Sequence, residues 1–156
     1  MDATTMPSLN SRIAKDYPLI NFEPSDDFHW SPAEKTVFFK ADEPNSSLLI
    51  HELSHALLGH DTYASDVALL KLEREAWNKA LELSEHYDVS IDESTIESHL
   101  DTYRDWLHAR SLCPTCKSNG YQVKKSLYRC LACSSEWKVN EARLCGLKRY
   151  TTKTPL

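Results

Sequence analysis

The sequence predicts an α+β chain: a short antiparallel sheet with three helices, followed by a small four-cysteine metal unit. Short β-branched and aromatic runs occupy residues 18–40, apolar residues recur at helical spacing across residues 47–110, and two C-x-x-C pairs lie beyond residue 110. With 156 residues, 41% of them hydrophobic, and four Trp, the chain can bury one modest core and a small appendage. No apolar run approaches the roughly eighteen residues of a membrane span, and no charged-then-apolar leader opens the chain, so neither a span nor a secretory signal is expected. The five cysteines are odd in number and four are paired in knuckles. That usage points to metal binding in a reducing compartment, so a cytoplasmic location is expected. The net charge of -5 hides a split: residues 1–109 hold 8 Lys/Arg against 21 Asp/Glu, and residues 110–156 hold 10 against 2. An acidic body with a basic end implies two units with different partners, nucleic acid being one candidate for the basic one and a solvated tail the plain alternative.

Residues 1–10 are polar and expected to be loose, and Ser11 to Asp16 form a short helical turn. Pro18 to Phe22, Phe28 to Trp30 and Thr36 to Lys40 read as strands, separated by Pro24-Ser25-Asp26-Asp27 and Ser31-Pro32. If Thr36 to Lys40 is an edge strand, an extended substrate could add alongside it. Read alone, Phe38 and Phe39 suit an ordinary core strand. Pro44-Asn45-Ser46-Ser47 starts the next helix, Leu48, Leu49, Leu53, Ala56 and Leu57 supply its apolar positions, and Gly59 is its left-handed stop. A long helix follows from about Ser65 to Tyr87, with Leu69, Leu72, Ala76, Trp77, Ala80, Leu83 and Tyr87 on one arc. The last helix opens with capping-box spacing at Ser90 and Glu93 and carries Ile96, Leu100, Tyr103 and Leu107 on a common face through Arg110.

The chemistry concentrates in His51-Glu52-Leu53-Ser54-His55, an H-E-x-x-H pattern. On a helix His51 and His55 lie one turn apart on one face, so both imidazoles can reach one cation while Glu52 stands beside them. A zinc hydrolase needs such nitrogens, a third protein ligand, an open position for water, and a carboxylate left free as general base. Glu52 fits the last role. For the third ligand, Glu73 falls near the middle of the apolar arc of the long helix, where a carboxylate is costly unless it meets a cation. Glu75, on the polar side, is the fallback. His60 closes the motif-bearing helix, but Gly59 breaks the register that would predict its direction, so its role stays open. Tyr63 is an oxyanion candidate by position alone. His86, His99 and His108 show no metal-ligand spacing and read as ordinary surface or core residues.

Cys113-Pro114-Thr115-Cys116 and Cys130-Leu131-Ala132-Cys133, with thirteen residues between the pairs, are the pattern of a four-thiolate zinc ribbon. A closed tetrahedral site leaves no position for water, so this zinc is structural. Lys117, Lys124, Lys125, Arg129 and Lys138, with Tyr121, Tyr128 and Trp137, suit phosphate contact and base stacking. Lys124, Lys125 and Arg129 are the named nucleic-acid candidates, with an inert brace or a protein-docking surface as the other uses. Cys145 is expected to be a small buried residue.

The run His51 to His60 followed by Leu72-Glu73-Arg74-Glu75-Ala76 resembles the ImmA/IrrE metallopeptidases, whose next helix carries E-x-E-A. The resemblance covers about residues 35–85. It implies a zincin-like metallopeptidase fold, His51 and His55 as ligands, Glu52 as general base and Glu73 as third ligand. It also implies a cytoplasmic regulator, since several members cut helix-turn-helix repressors. The chain departs from that family at Trp77-Asn78-Lys79-Ala80, where no Pro follows, and in having a ribbon. The ribbon is similar in layout to that of SprT-like proteases, which act near DNA. The expected organisation is therefore a zincin-like metallopeptidase domain over residues 1–110, a ribbon over 111–140 and a basic tail over 141–156. One catalytic and one structural zinc are expected, with a protein substrate, a DNA-bound regulator or DNA-associated protein among the candidates. The competing class is a non-enzymatic zinc-containing DNA-binding regulator.

Overall fold

The computed structural model describes residues 8–43, 46–143 and 145–155. Among the described residues, four α-helices and two small sheets give an α+β arrangement, and the chain divides into two compact units, residues 1–62 with 72–93, and residues 63–71 with 94–156. No helix among the described residues is long and apolar enough to cross a membrane.

In the first unit, α1 (Leu9–Asp16) is a full eight-residue helix where only a turn was expected, and it buries Leu9 and Ile13. The Tyr87 hydroxyl donates to Asp16 Oδ2 at 2.6 Å, tying α1 to the end of the long helix. The strands are β1 (Asn21–Pro24), β2 (His29–Ser31) and β3 (Thr36–Phe39), in the order β1-β3-β2. Two expectations fail here. The sheet is mixed, because β1 runs parallel to β3 and only β2 is antiparallel to it. And β3 is the central strand, so it cannot receive an added strand. Its burial explains why: Thr36, Val37 and Phe39 are all buried, as β-branched and aromatic residues between two neighbours should be.

Helix α2 (Ser47–Leu58) starts where Ser46 Oγ accepts from the Leu48 N–H at 3.1 Å. Pro44 and Asn45, the other half of the expected start signal, lie outside the described residues, as do residues 1–7 of the expected loose terminus. The helix stops at Gly59, which takes the left-handed conformation at φ 69. Helix α3 (Asp66–Tyr87) begins at a cap in which the Ala68 N–H donates to Ser65 Oγ at 3.2 Å. Its residues 66–71 belong to the second unit and the rest to the first. The expected arc is buried at Leu69, Ala76, Trp77, Ala80, Leu83 and Tyr87. Together with Val37, Phe39, Leu49, Ile50 and Leu53, the part beyond Leu72 supplies the apolar interior of the first unit.

The second unit takes α4 (Glu93–Ser111) from its second residue on, and the helix starts three residues after Ser90, which lies outside it. A cluster of Leu69, Tyr103 and Trp106 carries Tyr63, Leu70 and Leu107 at its edge. Strands β4 (Gly120–Lys124), β5 (Leu127–Cys130), β6 (Glu136–Val139) and β7 (Arg149–Lys153) form an antiparallel sheet in chain order. Residues read as a basic tail thus include a sheet strand. A buried ion pair anchors the unit: Arg110 Nε donates to Asp66 Oδ2 at 2.7 Å, with both side chains 1% exposed.

Candidate metal centres

The first centre is built by α2 and the following helix. Helical spacing puts His51 and His55 on one face of α2, and α3 delivers Glu73 to them. His51 is fully buried, His55 and Glu73 nearly so. The ring of His51 is held flat by Trp77, one turn beyond Glu73, with centroids 4.2 Å apart and planes at 25°. Three atoms converge: His51 Nε2 to Glu73 Oε2 is 2.9 Å, His51 Nε2 to His55 Nε2 is 3.2 Å, and His55 Nε2 to Glu73 Oε2 is 3.3 Å.

Those lengths can be tested against a metal. Ligands about 2.0–2.1 Å from a tetrahedral zinc stand about 3.3 Å apart, so the triangle is close to one face of such a site. The two ring nitrogens, 3.2 Å apart and each within 3.3 Å of the same carboxylate oxygen, are spaced as co-ligands of one ion would be. Burial alone would raise the Glu73 pKa, yet the hydrogen bonds from His51 and His55 outweigh it and hold the carboxyl well below its usual range. For His55, burial lowers the pKa, while the hydrogen bond and charge of Glu73 and the charge of Glu52 reverse the sign and raise it. Glu73, not Glu75, is therefore the carboxylate that joins the histidines. Glu52 is half-buried beside them in sequence and within electrostatic reach of His55.

His60 and Glu75 emerge as a second layer on the same centre. The Gly59 N–H donates to Ala56 O at 3.2 Å and the His60 N–H to His55 O at 3.1 Å. These are the two bonds of a Schellman ending, which folds the residue after glycine back over the last helical turn. His60 Nδ1 consequently lies 2.9 Å from His55 Nδ1, and its Nε2 lies 3.4 Å from Glu75 Oε2. The signal was present in the sequence as a glycine at the helix end. Recognising the stop without its hydrogen-bond pattern left the direction of His60 undetermined.

The second centre is the cysteine cluster. Cys113 Sγ is 3.7 Å from Cys133 Sγ, and Cys116 Sγ is 3.5 Å from Cys130 Sγ. A disulfide would need about 2.05 Å. The edge of a tetrahedron with metal–sulfur bonds of about 2.3 Å is about 3.8 Å, so the spacing fits four thiolates around one ion. The two knuckles repeat the same backbone design. Lys117 N–H donates to Cys113 O and Ser134 N–H to Cys130 O, at 3.0 and 3.2 Å. Lys117 and Ser134 both take positive φ, 66 and 64, turning each loop so that its sulfurs face inward. Hydrogen bonding to Ser118 pulls the Cys116 thiol down to about 6, while at Cys130 the backbone N–H of Cys133 is outweighed by burial and the side-chain hydrogen bonds to Cys116 and Cys133, which push that thiol up to about 11.

Other sequence-based expectations fare differently. Tyr128 and Trp137 are 1% and 0% exposed and form the ribbon core with Cys113, Cys130 and Val139, so they cannot stack on bases. Arg129 is committed to Glu136, with Nε donating to Oε1 at 2.7 Å. Lys124 and Lys125, by contrast, line an open hollow of about 410 Å³ with Ser126, Leu127 and Lys138. Cys145 is exposed, not buried. Tyr63 packs on the Leu69 cluster, with Lys125 Nζ 5.4 Å from the centre of its ring. No family model, no curated protein and no solved structure matches the chain.

Proposed function

We propose that the chain is a zinc metalloendopeptidase that cleaves a protein substrate, with the basic ribbon as its docking element for substrate or nucleic acid. The observation that carries this reading is the triangle of His51, His55 and Glu73, drawn from residues 22 apart in sequence into edges of 2.9–3.3 Å. Two nitrogens and one oxygen suit zinc, and three protein ligands in place of four correspond to a catalytic rather than a structural site. Zinc held there would supply a Lewis acid that polarises a carbonyl and acidifies water. The chain's own groups do the rest. Glu52, next to His51 but outside the triangle, takes the proton of the attacking water on its carboxylate and returns it to the departing amine nitrogen. Glu73 contributes negative charge that offsets the metal's, and Trp77 holds the His51 ring against rotation. In the ribbon, Cys113, Cys116, Cys130 and Cys133 would hold a second zinc with no open position, and it would brace the two knuckles.

The test begins with elemental analysis. The wild type should hold two zinc ions per chain, the double variant His51→Ala/His55→Ala one. Glu52→Gln should keep both and lose cleavage of a proteome-derived peptide library by at least about 10²-fold, the usual scale of a general base. Equal cleavage by Glu52→Gln and wild type, or a single zinc in the wild type, would reject the peptidase.

A second reading, a non-enzymatic DNA-binding regulator with two structural metals, draws on the 10 Lys/Arg against 2 Asp/Glu of residues 110–156. It is favoured if duplex DNA binds with an affinity that falls steeply with salt, and if neutralising Lys124 and Lys125 lowers the logarithmic slope by about two.

A further inference from the structure

Only one carboxylate of Glu73-Arg74-Glu75 enters the metal triangle, and the other stands against the one histidine of His51, His55 and His60 that the triangle leaves out. His60 is held on three sides. Its own N–H bonds to His55 O at 3.1 Å, its carbonyl accepts from Trp30 Nε1 at 2.9 Å, and its ring bridges His55 Nδ1 at 2.9 Å and Glu75 Oε2 at 3.4 Å. The side chain is 10% exposed, so the ring is not a solvated surface group.

The protons on this chain of groups can be assigned by elimination. For His55 to offer a lone pair from Nε2, its proton must sit on Nδ1. That N–H then donates to His60 Nδ1, which must be the acceptor. The proton of His60 is forced onto Nε2, where it points at the Glu75 carboxylate. In the reverse arrangement His55 would carry its proton on Nε2, spend it on Glu73 and have no lone pair for a metal. His60 Nε2 would then turn a lone pair toward a carboxylate, which is repulsive. Glu75 therefore decides between the two from the far end. Metal-binding histidines generally need such a partner for their other nitrogen, and here a histidine and a carboxylate act in series.

We propose that His60 and Glu75 are positioning residues that fix the tautomer and ring orientation of His55 for metal binding. This rests on the metal reading given above and adds to it a function for the second glutamate and the last histidine.

The experiment uses the full-length zinc-loaded protein, with a chromophoric chelator to rank the affinities of the two zinc ions and long-range ¹H–¹⁵N spectra to read imidazole tautomers. In the wild type His55 should carry its proton on Nδ1 and His60 on Nε2. Glu75→Leu and His60→Leu should each weaken the His51/His55/Glu73 zinc by about 10–100-fold while leaving the ribbon zinc unchanged. His60→Gln, whose amide oxygen can still accept from His55 Nδ1, should recover part of the loss. Because Glu75 is 43% exposed, its replacement tests the idea without disturbing the interior. Unchanged affinity in Glu75→Leu and both His60 variants, or a His60 proton on Nδ1, overturns the proposal while a wild type holding two zinc ions keeps the metal reading. A wild type that binds zinc only at the cysteines overturns both.

Discussion

Replacing Asp66 with alanine should be among the most damaging single changes in the second unit. Asp66 and Arg110 are each 1% exposed. The carboxylate accepts from Arg110 Nε at 2.7 Å and Nη2 at 3.4 Å, from Gln122 Nε2 at 3.3 Å, and from the Tyr128 hydroxyl in a short bond. Without it, the guanidinium keeps two carbonyl acceptors, Asn140 O at 2.7 Å and Lys125 O at 3.3 Å, but no counter-charge. Stranding one member of a buried ion pair costs about 3–5 kcal/mol, and an orphaned buried hydroxyl about 1–3 kcal/mol. The two overlap, so about 4 kcal/mol is expected for Asp66→Ala. With a urea slope of about 2 kcal/mol/M, the midpoint should fall by about 2 M. Urea titration of the zinc-loaded protein, followed by tryptophan fluorescence at fixed zinc, reads the shift. The double replacement Asp66→Leu/Arg110→Met removes both charges and should recover the part of the loss that comes from the stranded guanidinium, while the Tyr128 hydroxyl still lacks its acceptor. A loss under about 1 kcal/mol for Asp66→Ala would mean that water or another group neutralises Arg110, and the buried-charge argument would be wrong.

Three further outcomes follow from particular positions. A Cβ on Gly120 would lie 2.4 Å from Arg129 O and 2.5 Å from Trp137 Cη2. Backbone and a packed indole cannot step aside, so Gly120→Ala should cost about 1–3 kcal/mol in a thermal melt and loosen the ribbon zinc in chelator competition. Gly59→Ala meets no atom within 4 Å, and its whole penalty comes from holding φ near 69. About 1–2 kcal/mol is expected in a urea titration. Lastly, acid should release both metals, because protons compete for the same lone pairs. The thiol site should weaken steeply as pH falls from 8 to 6, by up to about three log units per pH unit, Cys116 being already largely thiolate above about 6. The histidine site should weaken by at most about two log units per pH unit, with the loss beginning above the ordinary imidazole pKa of about 6.5 because burial of His55 is outweighed by Glu73, which raises its pKa. Equal slopes in chelator titrations would contradict the ligand sets.

Much of this arrangement was legible in the sequence because its causes are local. Helix periodicity singled out Glu73 in a stripe of Leu69, Ala76, Trp77 and Ala80, and the same period put His51 beside His55. The knuckles needed only their spacing. Errors arose where pairing partners are remote. Nothing in residues 18–40 states that β1 joins β3 in parallel, because a strand's neighbours depend on which strand is buried on both sides. Tyr128 and Trp137 look like a basic, aromatic binding surface in one dimension. The sheet alternation turns them inward, and Arg129 spends its charge on Glu136.

By itself the sequence determined the candidate ligands: their types, their spacing and the helix or knuckle that carries each, all set by periodicity and local backbone bonding. Only the tertiary structure decided which charges remain outward-facing, and that His60 and Glu75 stand behind His55. Those are choices between chain segments brought together across tens of residues, and no local rule of spacing contains that distance.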